Sequence, residues 1–315
     1  MTSDRVFGQL PDGRDVRLLS IGSAPSPVVE VLTLGATVHR LLVEGQNIVL
    51  GHPDVTERLA STDYVGATIG RYANRIAQGR FPLGDRTIEV GTHDRGNSLH
   101  GGPEGFDVRL WDVVAHSDES VELALVSSDG DQGFPGAVSA RVRYAVSGDA
   151  VTVAMSATTD ATTVVGMTNH AYFNLDGEGT IDDHVLVVDA DLYTPVDGTG
   201  IPLGEHQPVE GTPFDFREPA PLRAELDHNF VVRGDGLRRA TSLAGASITL
   251  EVWSDQPGVQ VYTGDMLDGT RHHPRAGVAL EPQVFPDSPN HPEWPSPVLE
   301  PGETYRSRIE WRLNS

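Results

Sequence analysis

An all-β fold, a large antiparallel β-sandwich of packed sheets, is predicted for this 315-residue chain by three observations. Short segments of alternating apolar and polar residues recur between turn signals. The 34 glycines and 22 prolines are spread along the whole length rather than gathered into a linker. Helical periodicity is scarce, and the strand-helix-strand alternation of a parallel α/β fold is missing. Large all-β units often exceed the average domain length, so residues 1–315 are expected to form a single domain.

Near the amino terminus Pro11, Asp12 and Gly13 are turn residues that link an early pair of strands. Asp54 to Ser61 is the best helical candidate, one or two turns long, with Asp54 able to cap it. Gly84 and Asp85 join the two halves of a hairpin running from Phe81 to Val90. Strands are expected at Val121 to Val126, Arg141 to Val146 and Val151 to Ala157, the last two linked through Ser147, Gly148 and Asp149. Three more follow at Ile248 to Trp253, Val259 to Tyr262 and Tyr305 to Leu313. Tight polar connections of this kind make antiparallel hairpins. Tyr72, Trp111 and Phe173 are expected in the core.

Composition removes several chemistries. The chain has no cysteine and no lysine, so all 23 basic residues are arginines. A thiolate nucleophile, a cysteine-ligated metal site, a Schiff-base lysine and a P-loop lysine all require absent side chains. Forty-five acidic residues give a net charge of −22, which repels nucleic acid and anionic membrane surfaces. The expected partner is a small neutral molecule. The amino-terminal stretch Met1 to Asp15 mixes charges and turn residues where a secretory signal would be apolar, and no apolar run reaches membrane-spanning length. A cytoplasmic protein, monomer or homodimer, is expected. The remaining histidines, including His272 and His273, have no metal-ligand spacing, and Asp129, Asp131 and Gly133 lack the rest of a calcium loop and read as a turn. No metal and no cofactor is expected.

Six segments carry the chemistry: GRYANRI at Gly70 to Ile76, NSLHGG at Asn97 to Gly102, NHAYFNL at Asn169 to Leu175, LDHNFVV at Leu226 to Val232, PGVQVYTGD at Pro257 to Asp265, and LEPQVFPDSPN at Leu280 to Asn290. In this order, with GFDVRLWDV at Gly105 to Val113 and DGDQGFPG at Asp129 to Gly136, the chain closely resembles the aldose 1-epimerase (galactose mutarotase) family. Any one motif is weak; six in register are specific. Val108 stands where the family commonly has lysine, and Asp265 where asparagine is usual.

The resemblance implies a galactose mutarotase-like β-sandwich that interconverts α and β anomers of free aldoses without a cofactor. It implies Glu281 as general base at the anomeric hydroxyl and His170 as the acid that protonates the ring oxygen, with His100 as a further catalytic candidate. Asn74, Arg75, His100, His170, Tyr172, Asp227 and Gln260 fall at sugar-contacting positions.

Elementary chemistry agrees with these roles. Ring opening needs one group to take the proton from the C1 hydroxyl while another delivers a proton to the ring oxygen, and closure on the other face reverses both transfers. With free values near 6.5 for histidine and 4.3 for glutamate, imidazolium and carboxylate coexist at neutral pH. Arg75 presents a planar fork of donors, and Asp227 can accept from two adjacent hydroxyls. If Arg75 lies near Glu281 it would also keep that carboxylate ionised.

Three alternatives stay open on sequence alone. Asp227 and Glu281 could form a glycosidase carboxylate pair. The same side chains could bind sugar without catalysis. An epimerase of a phosphorylated hexose would require Arg71, Arg75 and Arg80 to converge on the phosphate.

Overall fold

The protein is described here from a computed structural model covering residues 3–267, 269 and 271–314. A nine-stranded antiparallel sheet runs in the order Asp112–His116, Ser120–Ser127, Val138–Ser147, Ala150–Thr159, Tyr305–Asn314, Thr249–Ser254, Arg238–Ala244, Val185–Val188 and Ala220–Pro221. A six-stranded sheet lies in the order Tyr172–Phe173, Val278–Gln283, Gly258–Tyr262, Asp227–Val232, Ala190–Thr194 and Gln207–Pro208. A five-stranded meander, Ser3–Gln9 through Gln46–Asn47, completes the large sheets.

The expected strands appear with ends within three residues of those expected; Ile248 to Trp253 is shifted by one, to Thr249–Ser254. Val138–Ser147 alternates buried and exposed along its length, the pattern of a strand with one face on a core and one in water. It joins Ala150–Thr159 through Gly148 and Asp149, with Ser147 opposite Ala150. Gly148 has φ 57°, the positive value a two-residue hairpin turn requires. Gly84 and Asp85 turn the Arg80–Leu83 and Arg86–Glu89 pair in the same way. Pro11 to Gly13 turn the first two strands. The helix spans Val55–Ala60, and the Asp54 carboxylate accepts from the Glu57 N–H at 2.9 Å. Asp131–Gly133 is a 3-10 turn, in which Asp131 pairs with Arg109 at 2.6 Å.

One apolar cluster joins the sheets. It takes Val142, Tyr144 and Val153 from the nine-stranded sheet, Val259, Val261 and Leu280 from the six-stranded sheet, and Leu19 and Val31 from the meander. Phe173 and Trp111 belong to it, and Tyr72 is buried in a second cluster with Phe81 and Phe134. Within the six-stranded sheet Gly258–Tyr262 is buried but for its last residue and Val278–Gln283 is buried throughout. That burial decides the chemistry of the polar side chains it carries.

Candidate active site

Strand alternation alone sorts the six-stranded sheet into a core face and a polar face. Val259, Val261, Val278, Leu280 and Phe230 point into the main core. Residues between them, Asp227, Gln260, Tyr262 and Glu281, line a cavity of about 350 Å3 on the opposite face. Gln260 and Glu281 are cross-strand partners, and Asp227 is opposite Tyr262. Tyr172 faces the cavity while its neighbour Phe173 enters the core.

The facing wall comes from two short strands, Arg75–Ile76 and Ser98–Leu99, paired antiparallel. Asn74 and His100 flank this ladder with φ 65° and 52°, left-handed backbone that non-glycine residues seldom adopt. The two are locked reciprocally. The His100 N–H donates to the Asn74 carbonyl at 3.0 Å, and the Asn74 N–H donates to His100 Nδ1 at 3.1 Å. A backbone N–H has only a hydrogen to offer, so Nδ1 is the bare nitrogen and Nε2 carries the ring hydrogen. His100 is thereby fixed as a neutral N–H donor.

All eight residues singled out from sequence, Asn74, Arg75, His100, His170, Tyr172, Asp227, Gln260 and Glu281, line this one cavity. His170 Nε2 lies 3.5 Å from Glu281 Oε1. Gln260 donates to Asp227 Oδ1 at 2.6 Å, and Arg75 NH1 stands 3.8 Å from Asp227 Oδ2. Glu281 Oε2, Gln260 Oε1 and His170 Nδ1 are buried without a hydrogen-bond partner among the described residues. Unpaired buried polar atoms are costly, and a hydroxyl-rich ligand satisfies them.

Ionisation differs from the free-solution expectation. Burial pushes His170 down to about 4 and His100 well below the usual imidazole range. Burial, reinforced by the Asp227 charge, pushes Glu281 well above the usual carboxylate range, and Arg75 offsets this only in part. Arg75 does not hold Glu281 ionised because its own guanidinium is engaged, Nε donating to Asp94 Oδ2 at 2.8 Å. Loss of hydration outweighs the opposite charge. Burial thus favours the uncharged form of both groups, imidazole and carboxyl.

Donor atoms of His100, His170 and Glu281 lie within 4.8 Å of one another, close enough for a metal ion. The fixed tautomer argues against one: a metal needs the Nε2 lone pair, and the hydrogen bond accepted at Nδ1 places the hydrogen there. The three arginines that the phosphate reading requires do not converge. Arg71 is buried and donates to the Ser127, Ser128 and Pro135 carbonyls, and Arg80 is exposed on a hairpin beside Glu89. Of the three arginines only Arg75 reaches the cavity.

Sequence reasoning missed Tyr64, Asp94, Tyr262 and Met266, together with Thr62, Asp63, Arg95 and Leu99, which also line the cavity. Asp94 precedes NSLHGG by three residues and Tyr262 sits inside PGVQVYTGD, so proximity to the motifs was the available signal. Tyr64 had none.

The chain matches the aldose 1-epimerase family over residues 17–312. It is 40% identical over 336 residues to the aldose 1-epimerase of Escherichia coli (strain K12), covering 96% of each chain. It is 38% identical over 325 residues to the galactose mutarotase of Sus scrofa, covering 95% of each. Its fold is similar to two solved structures. With the GalM/aldose epimerase homologue from C. elegans the TM-score is 0.90 at 28% identity, covering 95% of this chain and 99% of that one. With galactose 1-epimerase from Lactobacillus acidophilus NCFM it is 0.90 at 26% identity, covering 100% and 98%.

Proposed function

The chain belongs to the aldose 1-epimerase family and is an isomerase that interconverts aldose anomers; on that premise we propose that Glu281 and His170 move the protons, on free aldohexoses such as glucose and galactose. The observation that carries this reading is the 3.5 Å approach of His170 Nε2 to Glu281 Oε1 within one polar cavity. The two oxygens of a hemiacetal share one carbon, so the groups that serve them must be neighbours.

The working form is the ion pair, reached when the Glu281 proton passes to His170. A bound sugar favours it, because hydroxyls that donate to the carboxylate stabilise its charged form. Glu281 then takes the proton of the C1 hydroxyl as the bond from C1 to the ring oxygen breaks, and His170 gives its proton to that oxygen. C1 becomes an aldehyde. Rotation about C1–C2 presents its other face. The ring oxygen attacks while its proton returns to His170 and Glu281 returns a proton to O1, so the pair ends as it began. His100, through its Nε2–H, donates to a sugar oxygen without changing its protonation. Asp227, Arg75, Gln260, Asn74 and Tyr172 hold the hydroxyls.

The test is NMR anomer exchange or polarimetry on α-D-galactose and α-D-glucose, with 6-phosphorylated aldoses and aryl glycosides alongside. Accelerated equilibration of the free sugars and no release of nitrophenol are expected. Binding without acceleration would make the protein a sugar-binding sandwich, and nitrophenol release lost in Glu281→Gln would make it a glycosidase. Three lining aspartates, Asp63, Asp94 and Asp227, against two lining arginines, Arg75 and Arg95, favour a neutral sugar over a phosphorylated one.

The same proposal covers setting: residues 1–315 as one domain, supported by the apolar cluster that draws on all three large sheets, and a monosaccharide partner. No helix among the described residues is long and apolar enough to cross a membrane. Cytoplasmic location and a monomer or homodimer are parts of it that fractionation and light scattering test.

A further inference from the structure

The turn that follows the helix Val55–Ala60 brings Thr62, Asp63 and Tyr64 to the cavity, and no motif marks them. Tyr64 has φ 56°, a left-handed conformation unfavourable for a bulky residue. Such strain persists where the surroundings fix it, and it clusters where a ligand is held. Here the surroundings are His170 itself. The Gly66 N–H donates to the His170 carbonyl at 2.9 Å, the His170 N–H donates to the Ala67 carbonyl at 2.9 Å, and the Ala67 N–H closes the turn on the Tyr64 carbonyl at 3.0 Å. The turn and the histidine are joined by backbone on both sides.

The ring completes the contact. Tyr64 meets His100 edge-on with centroids 4.5 Å apart and lies tilted against His170 at 5.8 Å, so it touches both imidazoles of the site. It is only partly buried and borders the cavity. Its hydroxyl makes no hydrogen bond among the described residues, and burial raises its pKa, which keeps the O–H intact.

An aromatic wall with a free hydroxyl is what a pyranose requires of one side of its pocket, an apolar surface for its C–H groups and a partner for one O–H. Asp227, Gln260 and Glu281, carried by the six-stranded sheet, supply polar groups to the same cavity. We propose that Tyr64 is a sugar-contacting residue of this site, its ring the apolar wall for the aldose and its hydroxyl the partner of one sugar hydroxyl. This rests on the mutarotase reading of the cavity.

Tyr64→Phe, Tyr64→Leu and Tyr64→Ala test it by KM and kcat for anomer exchange of α-D-galactose, with melting temperature measured beside them. Tyr64→Leu keeps much of the volume if Tyr64→Ala does not fold. The expected result is KM raised at least about tenfold by Tyr64→Leu and Tyr64→Ala, and at least about threefold by Tyr64→Phe, with kcat within about threefold of the parent. A structural role alone would lower melting temperature and leave KM in place. KM within twofold of the parent in both Tyr64→Phe and Tyr64→Leu would overturn the proposal. Glu281→Gln, run in parallel, keeps the two readings apart: full activity there removes the catalytic pair, whereas unchanged KM in the Tyr64 variants beside an inactive Glu281→Gln removes only the role of Tyr64.

Discussion

Glu281 and His170 set the rate if protons move between them and the sugar, and each removes a different half of the exchange when replaced. Glu281→Gln and His170→Asn should each lower kcat by at least about 10², the contribution typical of one general base or acid. NMR exchange reads this directly, and a loss below tenfold in both would point to another pair. Their pH dependence follows from burial. The pair holds one proton from about 4, where His170 would accept a second, up to the raised range where Glu281 gives up the last. Because the one-proton state has the same proton count whether written as neutral or as an ion pair, kcat/KM should vary less than about threefold between pH 5 and 7 once the uncatalysed rate is subtracted. An alkaline limb with its midpoint near 6.5 would instead reveal an imidazolium acid titrating alone. The residue types and their partnership were legible in the motifs. Their resting charges were not, since hydration lost on folding is invisible in the sequence.

Among the elements, the hairpin Pro195 to Leu203 shows how a turn acts on the site from behind. Asp197 Oδ1 accepts from the Thr199 and Ile201 N–H groups, and the tip carries Gly200 at φ 84°. A Cβ on Gly200 would lie 2.9 Å from the central guanidinium carbon of Arg75. The guanidinium is the free end of a long side chain, so the fold would survive by moving it, away from its 2.8 Å hydrogen bond to Asp94. Gly200→Ala should therefore raise KM several-fold. Gly204→Ala, at φ 104° with open space around its Cβ, imposes comparable backbone strain without that contact and should leave KM unchanged. Equal effects of the two on KM would mean that backbone strain alone is at work. Strands such as Val138–Ser147 were legible because alternation is local. Their order was not: Tyr305–Asn314 inserts between Ala150–Thr159 and Thr249–Ser254, a pairing made by closure of long loops rather than by any neighbouring residue. Tyr64 and Asp94 escaped notice for the same reason, as both reach the cavity through tertiary approach.

At the scale of the whole molecule, the buried histidines tie stability to pH. Burial pushes His39, His52 and His170 down to about 4, and His100 falls well below its usual range. A group whose folded pKa lies below its unfolded value binds protons preferentially when unfolded, so its contribution is complete above about 6.5 and is lost as pH falls toward 4. Each such histidine adds a slope of at most about 1.4 kcal/mol per pH unit within that window. Glu281 and Asp107, the latter raised by burial to about 6, act in the opposite sense, because the folded protein retains their protons where the unfolded chain releases them. With His184, His206 and His228 also lowered and Asp287 also raised, seven histidines against three carboxyls leave a net loss on acidification. The melting temperature should fall progressively from pH 6.5 to 4.5. His52 is the cleanest probe, since it is buried, neither ring nitrogen has a hydrogen-bond partner among the described residues, and it lies outside the catalytic cavity. His52→Asn, uncharged at every pH, should flatten the acid slope relative to the parent. A parent melting temperature that rises between pH 6.5 and 4.5 would mean that the buried carboxyls, rather than the imidazoles, govern the acid response of the sandwich.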